Sequence, residues 1–161
     1  MTSPSNFSLK QAKLLSSALR MKIVSVLVDE PKTSRQVATE LNQSPGNVHY
    51  HIKRLHEGGL LELVEEKKVR GLTEKYYKST SKWFNTDHDG TIDHVLSDSF
   101  EAKQSTALSI RLHLSPEQRT ELEEGFRDFL EGWVKKADID EANQEFSIGV
   151  KVVSTEPKEK P

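Results

Sequence analysis

The sequence predicts a mainly α fold with a small β-hairpin, an α+β arrangement. Two observations carry this. Residues 8–58 repeat apolar side chains at helical spacing behind capping signals, and residues 60–80 switch to a shorter, strand-like rhythm with a charged turn between two runs. A third observation places the second half: residues 92–133 return to helical spacing, and Phe146–Val152 alternates apolar with mostly polar residues.

The first helix is expected to start at Ser8. Gln11, three residues on, completes a capping box. Leu15, Leu19, Ile23, Val26 and Leu27 then fall near one face, and Asp29-Glu30-Pro31 ends the run, because the residue before proline avoids the α region. A second helix opens at Thr33, boxed by Gln36, and carries Val37, Ala38 and Leu41. A third opens at Ser44 with Pro45 at its first turn, has the apolar stripe Val48, Ile52 and Leu55, and stops at Gly58-Gly59. Leu60–Glu66 and Lys75–Thr80 read as paired strands around Gly71. Beyond them a helix is expected from about Ile92 to Leu112. Another follows the capped start at Ser115, with the stripe Leu122, Phe126, Phe129, Leu130 and Trp133.

The expected organisation is a disordered N-terminus at 1–7, one domain at 8–82, a linker at 83–91, a helical region at 92–153 ending in a strand, and a disordered tail at 154–161. Charge follows this division. The chain of 161 residues has a net charge of −2, yet residues 1–82 hold 14 Lys/Arg against 8 Asp/Glu, and residues 83–161 hold 9 against 17. A half at +6 joined to a half at −8 suggests that one half meets a polyanion and the other does not. The chain has no cysteine, which excludes disulfides, thiolate catalysis and cysteine-built zinc sites. No apolar run approaches the ~18 residues that span a bilayer. The first eight residues lack the layout of a signal peptide, so a cytoplasmic location is expected.

Two short helices joined by Asn42-Gln43, followed by a basic hairpin, have the layout of a winged helix-turn-helix. In that layout the second helix of the pair enters the major groove of double-stranded DNA. Opposite Val48, Ile52 and Leu55, the third helix presents Gly46, Asn47, Tyr50, Lys53, Arg54 and Glu57, with His49 and His51 on the flanks. Asn pairs with adenine edges and Arg or Lys with guanine, while Gly46 lets backbone approach closely. Ser44 begins the helix. An ordinary solvated face would mix Glu with Lys, whereas this one holds a single acid at its far end. The hairpin offers Lys67, Lys68, Arg70 and Lys75 to phosphates or the minor groove, against Glu65, Glu66 and Glu74. Thr33, Ser34 and Arg35 open the second helix, whose N–H groups suit a phosphate, although capping alone explains Thr33.

Ser44 to Leu61 resembles the recognition helix of ArsR-like winged-helix transcription regulators, and Arg70 to Tyr77 resembles their wing. The resemblance covers about residues 10–82. It implies a homodimer that binds an operator, usually as a repressor, with helices flanking the winged domain forming the interface. The sequence departs from the family's cysteine-based metal sensing. Asp87, His88, Asp93 and His94 cluster but do not match the family's ligand spacing. Asn85, Asp87, Asp89, Gly90, Ile92 and Asp93 follow the first nine positions of an EF-hand loop, but the twelfth is Leu96 in place of glutamate, and a linker has the same composition. No metal or cofactor is assigned. Trp83, Phe84, Phe126, Phe129 and Trp133 are candidates to line a pocket for a small-molecule effector, with core or dimer packing as the commoner explanation.

The leading expectation is therefore a homodimeric, sequence-specific transcription regulator without catalysis. The alternative is a winged-helix protein-interaction module that no longer reads DNA, which the acidic second half and the glutamates of the hairpin motivate. An enzyme has little support: no phosphate loop or nucleophile–base set is present, and His49, His51 and His56 spread over different helix faces.

Overall fold

Helix starts in this chain are fixed by short polar side chains folded back on the backbone. In a computed structural model, which describes residues 5–6, 8–81, 84–85 and 93–157, the boxes at Ser8/Gln11, Thr33/Gln36 and Ser115/Gln118 all form. The elements run β1 (Ser5–Asn6), α1 (Leu9–Leu15), α2 (Ala18–Val26), β2 (Lys32–Thr33), α3 (Ser34–Glu40), α4 (Pro45–Glu57), β3 (Leu61–Val69), β4 (Leu72–Ser79), β5 (Phe84–Asn85) and α5 (Pro116–Lys136). The expected first helix is in fact two. The Ser16 hydroxyl donates to the Lys13 carbonyl and the Ser17 N–H to the Leu15 carbonyl, so local bonds replace the helical ladder and α2 starts afresh.

The turn between α3 and α4 closes in two bonds. Asn42 adopts φ 51°, its N–H reaches the Thr39 carbonyl, and the Gln43 N–H reaches the Ala38 carbonyl. This double closure is a Schellman motif, and asparagine tolerates the left-handed step better than most side chains. The same motif ends α4. Gly59 at φ 77° donates to His56, and the Leu60 N–H donates to Leu55 at 2.9 Å, joining two fully buried leucines.

The sheet has the order β2-β4-β3 and is antiparallel throughout. β2 pairs Lys32 with Tyr77 and Thr33 with Tyr76, a third strand that sequence patterning did not indicate. β3 and β4 run further than expected, pairing as far as Val69 with Leu72, so the turn is only Arg70-Gly71. Val64 interrupts the ladder as a bulge, with Leu63 opposite Tyr77 and Glu65 opposite Tyr76. The result is a winged helix-turn-helix fold: helices on one side and a small three-stranded sheet whose long hairpin projects as the wing.

One core unites these parts. Ile23 and Leu27, Val37 and Ala38, Val48, Ile52 and Leu55, and Leu60, Leu61 and Tyr77 are buried together, with Leu14, Leu15, Leu19, Val26, Leu41 and Leu63 packed around them. Each fully buried side chain of this size stabilises by roughly 1.5–3 kcal/mol relative to exposure. The Ser79 N–H donates to the Leu27 carbonyl and the Thr80 N–H to the Leu60 carbonyl, which ties the end of β4 to both helical layers.

The second half departs from expectation. In place of a helix from about Ile92 to Leu112, the described part holds one 3-10 turn, His94–Leu96, and residues 101–114 are neither helix nor strand. Serine, threonine and aspartate in 97–106 favour local side-chain bonds over a helical ladder, and Ser97 indeed bonds back to the His94 carbonyl. Phe146–Val152 has strand periodicity but forms no strand among the described residues, because no ladder partner lies beside it. Near the N-terminus, the backbone of Ser5–Asn6 pairs in parallel with Phe84–Asn85, two segments expected to lack regular structure. No helix of the described residues is long and apolar enough to cross a membrane.

Candidate nucleic-acid interface

Helix α4 is locked at both ends and along its inner face. Ser44 accepts from the Asn47 N–H at its start, Pro45 occupies the first turn, and the Gly59–Leu60 motif closes its end. Val48, Ile52 and Leu55 point into the core, so the opposite face is fixed in direction. That face carries exposed His49, Tyr50, Lys53 and Arg54, with Asn47 half-buried beside them. Nothing lies within 4 Å of the position a side chain would take at Gly46, so the backbone there is open to a close approach.

Neighbours organise this face. The Arg54 guanidinium donates to the Tyr50 hydroxyl at 3.0 Å and lies 5.8 Å from the ring centroid, which aligns the two side chains one turn apart. Lys53 meets Glu57 at 3.8 Å, so the single acid of the face is partly neutralised. The Ser34 hydroxyl is 3.4 Å from His49 Nδ1, which links the start of α3 to α4. Arg35 is exposed, and the Thr33 hydroxyl is engaged by the Gln36 N–H in capping.

His51 sits at the margin of the face. It is half-buried, its Nδ1 is shielded and has no hydrogen-bond partner among the described residues, and its ring is edge-on to Tyr50 at 5.2 Å. Burial first, and then Arg20 and Arg54, lower its pKa. Arg20 on α2 belongs to the same cluster, a residue the sequence reading missed because it appeared only as a polar position of the first helix. Its Nε donates to the Leu14 carbonyl. Its own pKa is lowered by burial and by Arg54, while Tyr50 and Glu145 act in the opposite sense. His56 is elsewhere, with Nδ1 on the Leu61 carbonyl at 2.9 Å and its ring edge-on to Tyr77. The three histidines of α4 therefore make three separate contacts.

The wing divides its cations into two kinds. Lys67 pairs with Glu65 at 3.0 Å and lies over the Tyr76 ring at 4.7 Å, contacts that raise its pKa. Lys75 pairs with Glu66 at 3.4 Å. Lys68 and Arg70, nearest the tip, make no ion pair among the described residues and are exposed. Arg70 stands at φ 49° and Gly71 at φ 82°. Two positive φ values in a two-residue loop define a type I′ turn, where asparagine or glycine is usual at the first position.

The other candidates separate from this face. Asp87 and Asp89, with His88, Gly90 and Ile92, lie outside the described residues, as does Trp83; for Asn85 and Phe84 only the backbone is described. Asp93 caps the turn at Val95, pairs with His94 at 3.3 Å and accepts from the Ser147 hydroxyl at 2.8 Å. Among the described residues no three His, Asp or Glu side chains gather in metal-binding fashion. Phe129 and Trp133 pack edge-on at 6.5 Å on α5 and line an open depression with Asp128, Gly132 and Lys136.

A family model described as a helix-turn-helix domain matches residues 15–64, which span α2, α3, α4 and the start of the wing. Among solved structures, the chain is similar to the homodimeric winged helix-turn-helix DNA-binding domain (fragment 1–100) of a possible ArsR-family transcriptional regulator from Mycobacterium bovis, solved by solution NMR. The identity is 19% and the TM-score 0.37, over 45% of this chain and 64% of that one, so the match spans less than two thirds of that fragment. No curated protein matches the chain.

Proposed function

We propose that this chain is a sequence-specific, DNA-binding transcription regulator that acts as a homodimer, in the manner of an ArsR-like repressor. The observation that carries the reading is the fixed outer face of α4, which carries Asn47, His49, Tyr50, Lys53 and Arg54; the wing adds Lys68 and Arg70, exposed and without an ion pair among the described residues. Arg54, held by Tyr50, is the side chain best placed to read a guanine edge, and Asn47 an adenine edge. Lys68, Arg70 and the α3 start at Ser34 and Arg35 serve the phosphates. Ser44, Thr33 and Gly46 shape the backbone around them. Lys67 and Lys75 are held by glutamates and contribute as long-range charge. Those glutamate pairs are also what favours the alternative, a winged module that meets protein instead of DNA.

The test is a titration of the full chain against genomic fragments over a range of salt. Binding should fall with salt at a log–log slope of roughly −0.9 per neutralised phosphate. Arg54→Ala should erode discrimination between operator and random DNA by about 1–3 kcal/mol, whereas Lys68→Ala should weaken both alike. No binding to any fragment at low salt refutes the reading.

A further inference from the structure

Among the described residues, the acidic half of the chain reaches the margin of the α4 face through Glu145. Beyond α5, residues 138–150 hold Asp138, Asp140, Glu141 and Glu145 and no Lys or Arg. They form neither helix nor strand, and no backbone–backbone hydrogen bond joins them to another element among the described residues. Two side chains tie them down. A Glu145 carboxylate oxygen accepts from the N–H of Ala18, the first residue of α2, at 3.2 Å. The Ser147 hydroxyl donates to Asp93 at 2.8 Å. Both bonds are exposed, so each stabilises little and opens readily.

Glu145 lies where an anion is favoured. Ser17, before α2, makes no capping bond with its side chain, and the Ala18 N–H meets the carboxylate instead. Arg20, two residues on, is within electrostatic reach of this carboxylate and also of Arg54 and Tyr50 on the outer face of α4. Arg20 and Arg54 disfavour each other's charge, and Glu145 is the one acid that acts on Arg20 among the described residues. A helix start with a guanidinium beside it suits any oxyanion, carboxylate or phosphate alike.

We propose that Glu145 stands in for a DNA phosphate, so that the acidic segment after α5 is an internal competitor of DNA. It holds the start of α2 and the Arg20 charge in the structure, and a phosphate beside the groove takes both when α4 binds. This rests on the DNA reading proposed above and adds to it a backbone contact outside α4 and the wing. The position fits, because Arg20 borders the face that would meet the bases, where the phosphate rows run. The competitor is tethered, so DNA affinity falls by the fraction of chains whose contact is closed. A cap that serves only the helix needs an acceptor oxygen, which glutamine also supplies. A phosphate surrogate needs the charge.

The test is fluorescence anisotropy of the full chain with a labelled duplex cut from the best-bound genomic fragment. Glu145→Gln should bind about two- to fivefold tighter, the range of one exposed charged contact. Glu141→Gln removes the same charge four residues from the contact and should leave affinity unchanged. Arg20→Ala should weaken binding about fivefold at 0.15 M salt and lower the salt slope by about 0.9. With Arg20→Ala in place, adding Glu145→Gln should gain almost nothing, since the two changes act on one seat. Unchanged affinity in Glu145→Gln makes the residue a helix cap alone and overturns the proposal. Equal tightening by Glu141→Gln, or a full gain that persists beside Arg20→Ala, overturns it in favour of overall charge. In all three cases the DNA reading stands. If neither the unaltered chain nor Glu145→Gln binds any duplex at low salt, the DNA reading has failed and the competitor falls with it.

Discussion

Replacing Arg70 with glycine should make the protein more stable and a poorer binder of DNA. At φ 49° the arginine Cβ crowds the following carbonyl, a conformation that costs roughly 1–2 kcal/mol for a side-chain-bearing residue. Glycine removes that strain but adds ~0.5–1 kcal/mol of backbone entropy to the unfolded chain. The balance is a gain of about 0.5–1 kcal/mol, or roughly 2–8 °C in melting temperature for a domain of this size. The guanidinium is exposed and makes no ion pair among the described residues, so no such contact is lost. If the tip touches a phosphate, the salt slope should drop by about 0.9, which corresponds to an affinity about fivefold lower at 0.15 M salt. Urea unfolding measures the first quantity and fluorescence anisotropy with labelled operator the second. Arg70→Lys, which keeps both the strain and the charge, should leave both nearly unchanged. Unaltered DNA affinity in Arg70→Gly would show that the tip is not a phosphate contact. A loss of stability would show that the turn is not strained as its geometry indicates.

Three further outcomes follow from the fold. Gly59→Ala should destabilise by about 1–2 kcal/mol in urea, because φ 77° is closed to alanine and the Gln11 amide lies 3.4 Å from where the methyl would sit. Leu55→Ala should cost about 2–5 kcal/mol and shift the thermal midpoint strongly, since the side chain is fully buried at the centre of the core. Folding stability should decline as pH falls below about 6.5, the ordinary histidine range, towards the lower folded pKa of His51. There the unfolded chain binds a proton that the folded one resists. His51→Gln should flatten that slope in urea melts taken between pH 7 and 5.

What the sequence disclosed was the part of the fold decided within a few residues. Ser8, Thr33, Ser44 and Ser115 each meet a backbone N–H three residues on, and Gly58-Gly59 ends α4 where its pattern stops. The face of α4 was equally legible, because three buried side chains on a 13-residue helix fix where the others point. The opening break was not, since Leu15 and Leu19 keep helical spacing across Ser16-Ser17 while the serines satisfy the backbone locally. The segment 92–112 misled because Leu108 and Leu112 suit a helical repeat and a two-residue repeat alike. Arg20 was hidden for a different reason: its place beside Arg54 and Tyr50 arises from how α2 crosses α4, which no local pattern records.

The anchoring of α4 and its outward display use different residues. Ser44, Val48, Ile52, Leu55, Gly59 and Leu60 hold the helix, while Asn47, His49, Tyr50, Lys53 and Arg54 occupy the surface. Changes at the second group leave the first untouched, so, on the proposed reading, exchanging a handful of side chains would retarget α4 without rebuilding the interior. That separability makes α4 a natural starting point for a library of altered recognition, screened for binding alone, with foldability carried over from the parent chain.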